Sequence, residues 1–184
     1  MHLRTSLTAV AGAALLATTL TGCQPPRAWH NELLTYDASG THSANDASGQ
    51  PVLSPDGTQL AFVSQGYDFG PPDDYRFTDV YLRDLATGEI TMVSHNADGT
   101  SGGNHDSFSP VFSPDGTKIA FESWAYDLGP NDTNAGHEGP DIYLYDVATG
   151  TNSLVSVNAA GTNSGSIGSS NPVFSPDGTR IAFS

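Results

Sequence analysis

The chain has 184 residues, room for one ordinary domain, with only 14% charged residues and with Gly 20 and Pro 12 marking frequent tight turns. Its formal net charge of -14 excludes a nucleic-acid partner, which would need Lys and Arg to neutralise phosphates. A single cysteine, Cys23, excludes an internal disulfide and a cysteine-rich zinc site, and 16 Asp against 4 Glu favour turns and metal loops over helices.

Residues 1–22 open with Arg4 and continue as an uncharged run of small and apolar residues, too short for a comfortable bilayer span. The run ends in Leu20-Thr21-Gly22-Cys23, which resembles the bacterial lipobox, and the resemblance implies cleavage before Cys23 and a lipid on its thiol. An exported chain, anchored at the outer face of the cell membrane or in the periplasm, is the expectation. Losing 1–22 removes Arg4 and no acid, so the mature formal charge becomes -15. Residues 23–32, with Gln24-Pro25-Pro26, read as a lipidated cysteine and a stiff tether.

From 33 to 184 the sequence repeats itself. Pro-Val-Leu-Ser-Pro-Asp-Gly at 51–57 returns as Pro-Val-Phe-Ser-Pro-Asp-Gly at 110–116 and 172–178, offsets of 59 (51 to 110) and 62 (110 to 172). Each copy is followed by one apolar segment: Gln-Leu-Ala-Phe-Val-Ser from 59, Lys-Ile-Ala-Phe-Glu-Ser from 118 and Arg-Ile-Ala-Phe-Ser from 180. A second landmark, Asp-Val-Tyr-Leu-Arg-Asp-Leu-Ala-Thr-Gly at 79–88, recurs at 141–150, and a Gly-Thr pair recurs at Gly40, Gly99 and Gly161.

Turn chemistry divides the repeat into strands. Ser-Pro-Asp-Gly supplies a proline of fixed φ and a glycine free to take positive φ, so strands A and B form a hairpin. Ala-Thr-Gly does the same between strands C and D, expected at 90–94 and 153–157. Ile119-Ala-Phe121 and Ile142-Tyr-Leu-Tyr145 are apolar at nearly every position, as in sheets covered on both faces.

These motifs resemble the Pro-x-Phe-Ser-Pro-Asp-Gly-x-x-Ile-Ala-Phe signature of the TolB-like (PD40, WD40-like) β-propeller family, with Leu53 and Leu60 departing in the first copy. The resemblance covers 33–184; the period, near sixty, exceeds the family's. It implies an all-β partial propeller of four-stranded antiparallel blades: a lone D strand at 33–36, two complete blades, and a final A–B hairpin, about two and a half blades. Closed rings need roughly four to eight. The chain therefore reads as a truncated product, with self-association into a ring as the alternative.

Function is expected on the edge that carries the long B–C and D–A loops, opposite the tight turns. Asp127, Asp132, Asn134 and Asp141, matched in the first repeat by Asp68, Asp73, Asp74 and Asp79, offer oxygens suited to Ca²⁺, or cap turns through their own backbone. Tyr67, His105, Asp106, Trp124, Tyr126, His137 and Glu138 are candidates for contact with a partner. His95, His105 and His137 lack zinc spacing, and the Gly-x-Ser-x-Gly at 99–103 lacks the strand-to-helix context of a hydrolase elbow. No catalytic constellation is present, so the expected role is a non-catalytic scaffold binding a protein or cell-envelope component, the mode of action the family resemblance implies. The competing reading is the propeller part of a longer enzyme of the prolyl-oligopeptidase kind.

Overall fold

The computed structural model describes residues 33–70, 73, 76–132 and 139–184. The expected leader, Cys23 and tether lie outside the described residues, as do Asp74, Asn134, His137 and Glu138. Ten strands and no helix make up the described chain: β1 Ser48–Leu53, β2 Gln59–Ser64, β3 Asp79–Asp84, β4 Ile90–Met92, β5 Ser107–Phe112, β6 Lys118–Ser123, β7 Asp141–Asp146, β8 Thr151–Leu154, β9 Val173–Phe174 and β10 Ile181–Ala182. They form antiparallel sheets in the orders β1-β2-β3-β4 and β5-β6-β7-β8, with β9-β10 a separate hairpin. No helix among the described residues is long and apolar enough to cross a membrane.

Each Ser-Pro-Asp-Gly segment closes its hairpin in the same way. Gly57 N donates to Ser54 O, and Gly57 takes φ +71, where a side chain would be strained. Ser54 Oγ donates to Asp56 Oδ1 (2.7 Å) and accepts from Gln59 N, while Asp56 Oδ1 also accepts from Thr58 N and Oγ1. The contacts recur around Asp115 and Asp177. The serine hydroxyl and one carboxylate oxygen of the turn are thereby occupied by residues within five positions of each other.

Gln50, Ser109 and Asn171, each directly before the repeat proline, take φ of 48, 56 and 57. The ladders slip at the first two, between Gly49 and Val52 and between Phe108 and Val111, giving a bulge in β1 and in β5. A bulge frees one amide, and the preceding blade captures it: Ser109 N donates to Gln50 Oε1 (2.7 Å), and at the matching position Asn171 N donates to Glu122 Oε1 (2.8 Å). Strands β1, β5 and β9 thus pack side by side along one flank.

Both faces of the central strands are buried, as their unbroken apolar runs require. Ala61, Val63, Val80 and Leu82 of the first sheet, with Val93 just after it, meet Ile119, Phe121, Tyr143 and Tyr145 of the second and Ala125 and Leu128 of its B–C loop in one core. The first sheet's other face holds Leu60, Phe62, Phe69, Tyr81 and Met92, with Phe62 stacked on Tyr81 at 5.6 Å. Twisted four-stranded meanders stacked face to face are propeller blades, here two complete and one represented by its first hairpin.

The lone D strand expected at 33–36 does not form. Tyr36 makes only an isolated bridge to Ser43, in register with the bridges His95–Gly102 and Val157–Ser164. The segment is therefore a copy of the D–A connection. Leu34 and Ala44 pack on the first blade, and Arg83 holds the segment by donating to Leu34 O (2.9 Å) and lying 5.6 Å from the Tyr36 ring. Strand β4 stops at Met92 rather than 94, because Val93 N and Ser94 N both turn to Val80 O. Strand β8 starts at Thr151, which already pairs with Asp146.

Candidate functional site

The long connections are tied together across the chain. Gln65 N donates to Ala47 O, Ala97 N to Asp127 O and Trp124 N to Asp106 O, joining B–C loops to D–A loops. Gly103 is required here: a Cβ would lie 2.6 Å from Leu128 Cδ2 and 2.9 Å from Ala125 Cβ. That close approach explains Gly103 of the Gly-x-Ser-x-Gly segment by packing, whereas Gly99 has open space around it and takes φ +65. The D–A connections do not stay wholly with the B–C loops, however. His95 sits between Asn96 O (2.7 Å) and Gly150 O (3.0 Å), and Asn152 Nδ2 donates to Val93 O, so this connection also reaches the C–D turn of the next blade.

Two aromatic groups stand on the B–C loops. Tyr67 and Tyr126, 59 residues apart at the same repeat position, are 44% and 43% exposed. Their backbone N–H groups donate to Asn45 Oδ1 (3.1 Å) and Asn104 Oδ1 (3.2 Å) of the preceding D–A connections. The Arg76 guanidinium lies 4.7 Å from the Tyr67 ring. Nearby, His105 stacks on Phe77 (4.9 Å, 9°) and tilts against Trp124 (6.0 Å). Asp106 N donates to His105 Nδ1 (2.8 Å), which places that ring's proton on Nε2, and Asp106 Oδ1 accepts from Thr78 N. The sequence pointed to His105, Asp106 and Trp124 but not to Phe77 or Arg76, which lie just before the C strand and carry no repeat signal.

The candidate metal ligands divide by depth. Asp79 and Asp141 open strands β3 and β7 and are buried, 0% and 1% exposed. Ser94 Oγ donates to Asp79 Oδ1 and Ser156 Oγ to Asp141 Oδ1, each at 2.5 Å, and those hydroxyls accept from Val80 N and Ile142 N. The signal in the sequence is the matching 15-residue spacing from acid to serine, 79 to 94 and 141 to 156. Burial pushes the Asp79 carboxyl well above the ordinary range, and Asp73, Asp106 and Asp127 push it further, while Ser94 opposes. Burial also raises Asp127, whose Oδ1 accepts from Asn104 N, and Asp132 accepts the Tyr143 hydroxyl at 2.7 Å. As the side chains stand, no three carboxylate or imidazole groups among the described residues close around one point to hold a metal.

No family model and no curated protein matches the chain. Solved structures similar to it include a putative TolB from Agrobacterium tumefaciens, with 18% identity, 78% of this chain and 42% of that one covered, and TM-score 0.47. The β-propeller domain of the Trilobed protease from Pyrococcus furiosus is similar at 14% identity, with 75% and 34% covered and TM-score 0.47. TolB from Acinetobacter baumannii is similar at 20% identity, with 77% and 38% covered and TM-score 0.39. The chain spans less than half the length of each.

Proposed function

We propose that the chain is a non-catalytic binding scaffold, exported and held at the membrane by a lipid on Cys23, that presents its B–C loops to a protein or another cell-envelope component. One observation carries the reading: each complete blade offers one exposed tyrosine, Tyr67 or Tyr126, on a loop whose backbone is fixed by an asparagine of the neighbouring connection. Pre-fixed aromatic groups cost little entropy to bury, which is why tyrosine anchors so many interfaces. The surrounding aspartates favour a partner with a basic surface.

Photo-crosslinking residues placed at Tyr67 and Tyr126, compared in cells with the same group at exposed Thr58 and Thr117 of the A–B turns, test the reading. A discrete adduct from the tyrosine positions alone is expected. Equal labelling at both sets, or adducts at neither, removes it. Cys23→Ser tests the anchor, with the expected outcome that the chain leaves the membrane fraction and loses its lipid mass.

A further inference from the structure

Asp79 poses an electrostatic problem that the first blade leaves open. Its Oδ1 takes the Ser94 hydroxyl, whereas its Oδ2, fully buried, has no hydrogen-bond partner. That oxygen faces Gly102: a Cβ there would stand 3.1 Å from Asp79 Oδ2 and 3.5 Å from Asp73 Oδ1, so both carboxylates look onto one point. Asp68 Oδ1 is a further buried oxygen without a partner, and burial first, then the charges of Asp79, Asp73 and Asp68, push the Tyr81 hydroxyl upward. The blade's arginines are engaged elsewhere, Arg83 on Leu34 O and Arg76 over Tyr67.

The second blade differs at the same spot. Ser164, a buried hydroxyl, stands at the position of Gly102, and Tyr143 donates to Asp132, the counterpart of Asp73. In the first blade glycine replaces that serine, and the Tyr81 hydroxyl goes to Gly66 O. A buried carboxylate with one oxygen unpaired favours taking up a proton or a cation. The neutral Met92 Sδ lies 3.4 Å from the same point, but a thioether is a soft, weak donor, and the two carboxylates are the charged groups there, which suits a hard cation of flexible coordination.

We propose that Asp68, Asp73 and Asp79 of the first blade form a Ca²⁺ site, with Asp79 Oδ2 its deepest ligand and the space before Gly102 its seat. Asp68 and Asp73, on the B–C connection, swing toward Asp79 on binding; loop carbonyls and water complete the 6–8 oxygens that the ion takes. The bound ion staples the B–C connection to the root of β3.

The full chain is titrated with CaCl₂ and, separately, with Tb³⁺, whose luminescence Tyr81 sensitises when the ion sits beside it. Expected are a higher melting temperature in Ca²⁺ than in EDTA, tyrosine-excited Tb³⁺ emission displaced by Ca²⁺, and loss of both in Asp79→Asn but not in Asp141→Asn. Gly102→Ser, which sets a hydroxyl against Asp79 Oδ2 at the position Ser164 occupies in the sister blade, abolishes the Ca²⁺ response while the chain stays folded, and serves if Asp79→Asn does not fold. Melting unmoved by Ca²⁺ up to roughly 10 mM, well above the range of weak extracellular sites, overturns the proposal. So does Ca²⁺ binding that survives Asp79→Asn and Gly102→Ser. A melting temperature that Asp79→Asn raises and Ca²⁺ leaves alone assigns the buried acid a proton instead.

Discussion

The A–B turns and the roots of the C strands both depend on aspartate and serine, and they use the pair in opposite ways. At the turns, the Ser113 hydroxyl and then Thr117 hold Asp115 down to about 2, and Ser175 and Thr179 do the same for Asp177. There the carboxylate is exposed to water and every contact favours its charge. At the strand roots, the Ser94 hydroxyl approaches Asp79 as closely as Ser113 approaches Asp115, yet burial overrides it and Asp79 moves upward. The comparison teaches that one hydrogen bond decides little by itself. Access to water determines whether an aspartate stabilises the fold or costs it free energy until something neutralises it.

The sharpest way to break that comparison is to remove the serine from each place. Ser156→Ala strips Asp141 of its hydroxyl and leaves Ile142 N without an acceptor, both in the dry interior. At about 1–3 kcal/mol for the buried donor left unsatisfied and about 1 kcal/mol for the hydrogen bond lost from Asp141, a loss of roughly 2–4 kcal/mol is expected by denaturant unfolding. Ser175→Ala removes equivalent contacts to Asp177 and Arg180 N, but these are exposed and water replaces them, so about 0.5–1.5 kcal/mol is expected. Equal losses at the two sites would end the distinction.

A second test concerns shape. Gly103→Ala forces a methyl against Leu128 and Ala125 where the two loops meet, and overpacking of this kind costs about 1–3 kcal/mol. Gly161→Ala, in the matching connection after the second blade, meets nothing within 4 Å and carries only the strain of its φ of +68, about 1–2 kcal/mol. Measuring both separates crowding from backbone strain in the same family of loops.

How much of this was legible depended on whether a residue's role was local. Ser-Pro-Asp-Gly closes its own turn, so its three copies revealed the A–B hairpins, and the apolar runs at Ile119 and Ile142 announced sheets covered on both faces. The segment at 33–36 misled because its partner is Arg83, 49 residues from Leu34; repeat spacing placed it correctly, but nothing local showed that it forms no ladder. Asp79 and Asp141 looked like loop ligands because they follow long acidic connections. Their burial is set by the sheet, and the signal was the serine 15 residues on. Gly102 drew notice only as part of an enzyme-like motif; what it does to Asp79 depends on a strand fold that brings the two together.

Acid titration puts the comparison into one curve. Asp115, Asp177 and Asp146, the last held by Lys118 at 2.7 Å, sit at about 2 when folded against roughly 3.9 in an unfolded chain. Their folded values are depressed, so their contribution is present above roughly pH 4 and lost as the pH falls toward 2. Asp79 has the opposite sign. Its folded value is raised, so its charge burdens the fold at neutral pH and acidification relieves the burden until the unfolded acid also protonates. Stability should therefore climb as the pH drops from 7 and fall steeply below roughly pH 4. The net charge of -14 also favours the compact state on acidification, so the informative quantity is the difference between the natural chain and Asp79→Asn, measured in EDTA. That difference should favour the variant at pH 7 and shrink on the way down, while the collapse at low pH stays in place. Asp115→Asn should soften the collapse and leave the climb untouched; if it flattens the climb instead, the acids of the turns and of the strand roots are electrostatically one group.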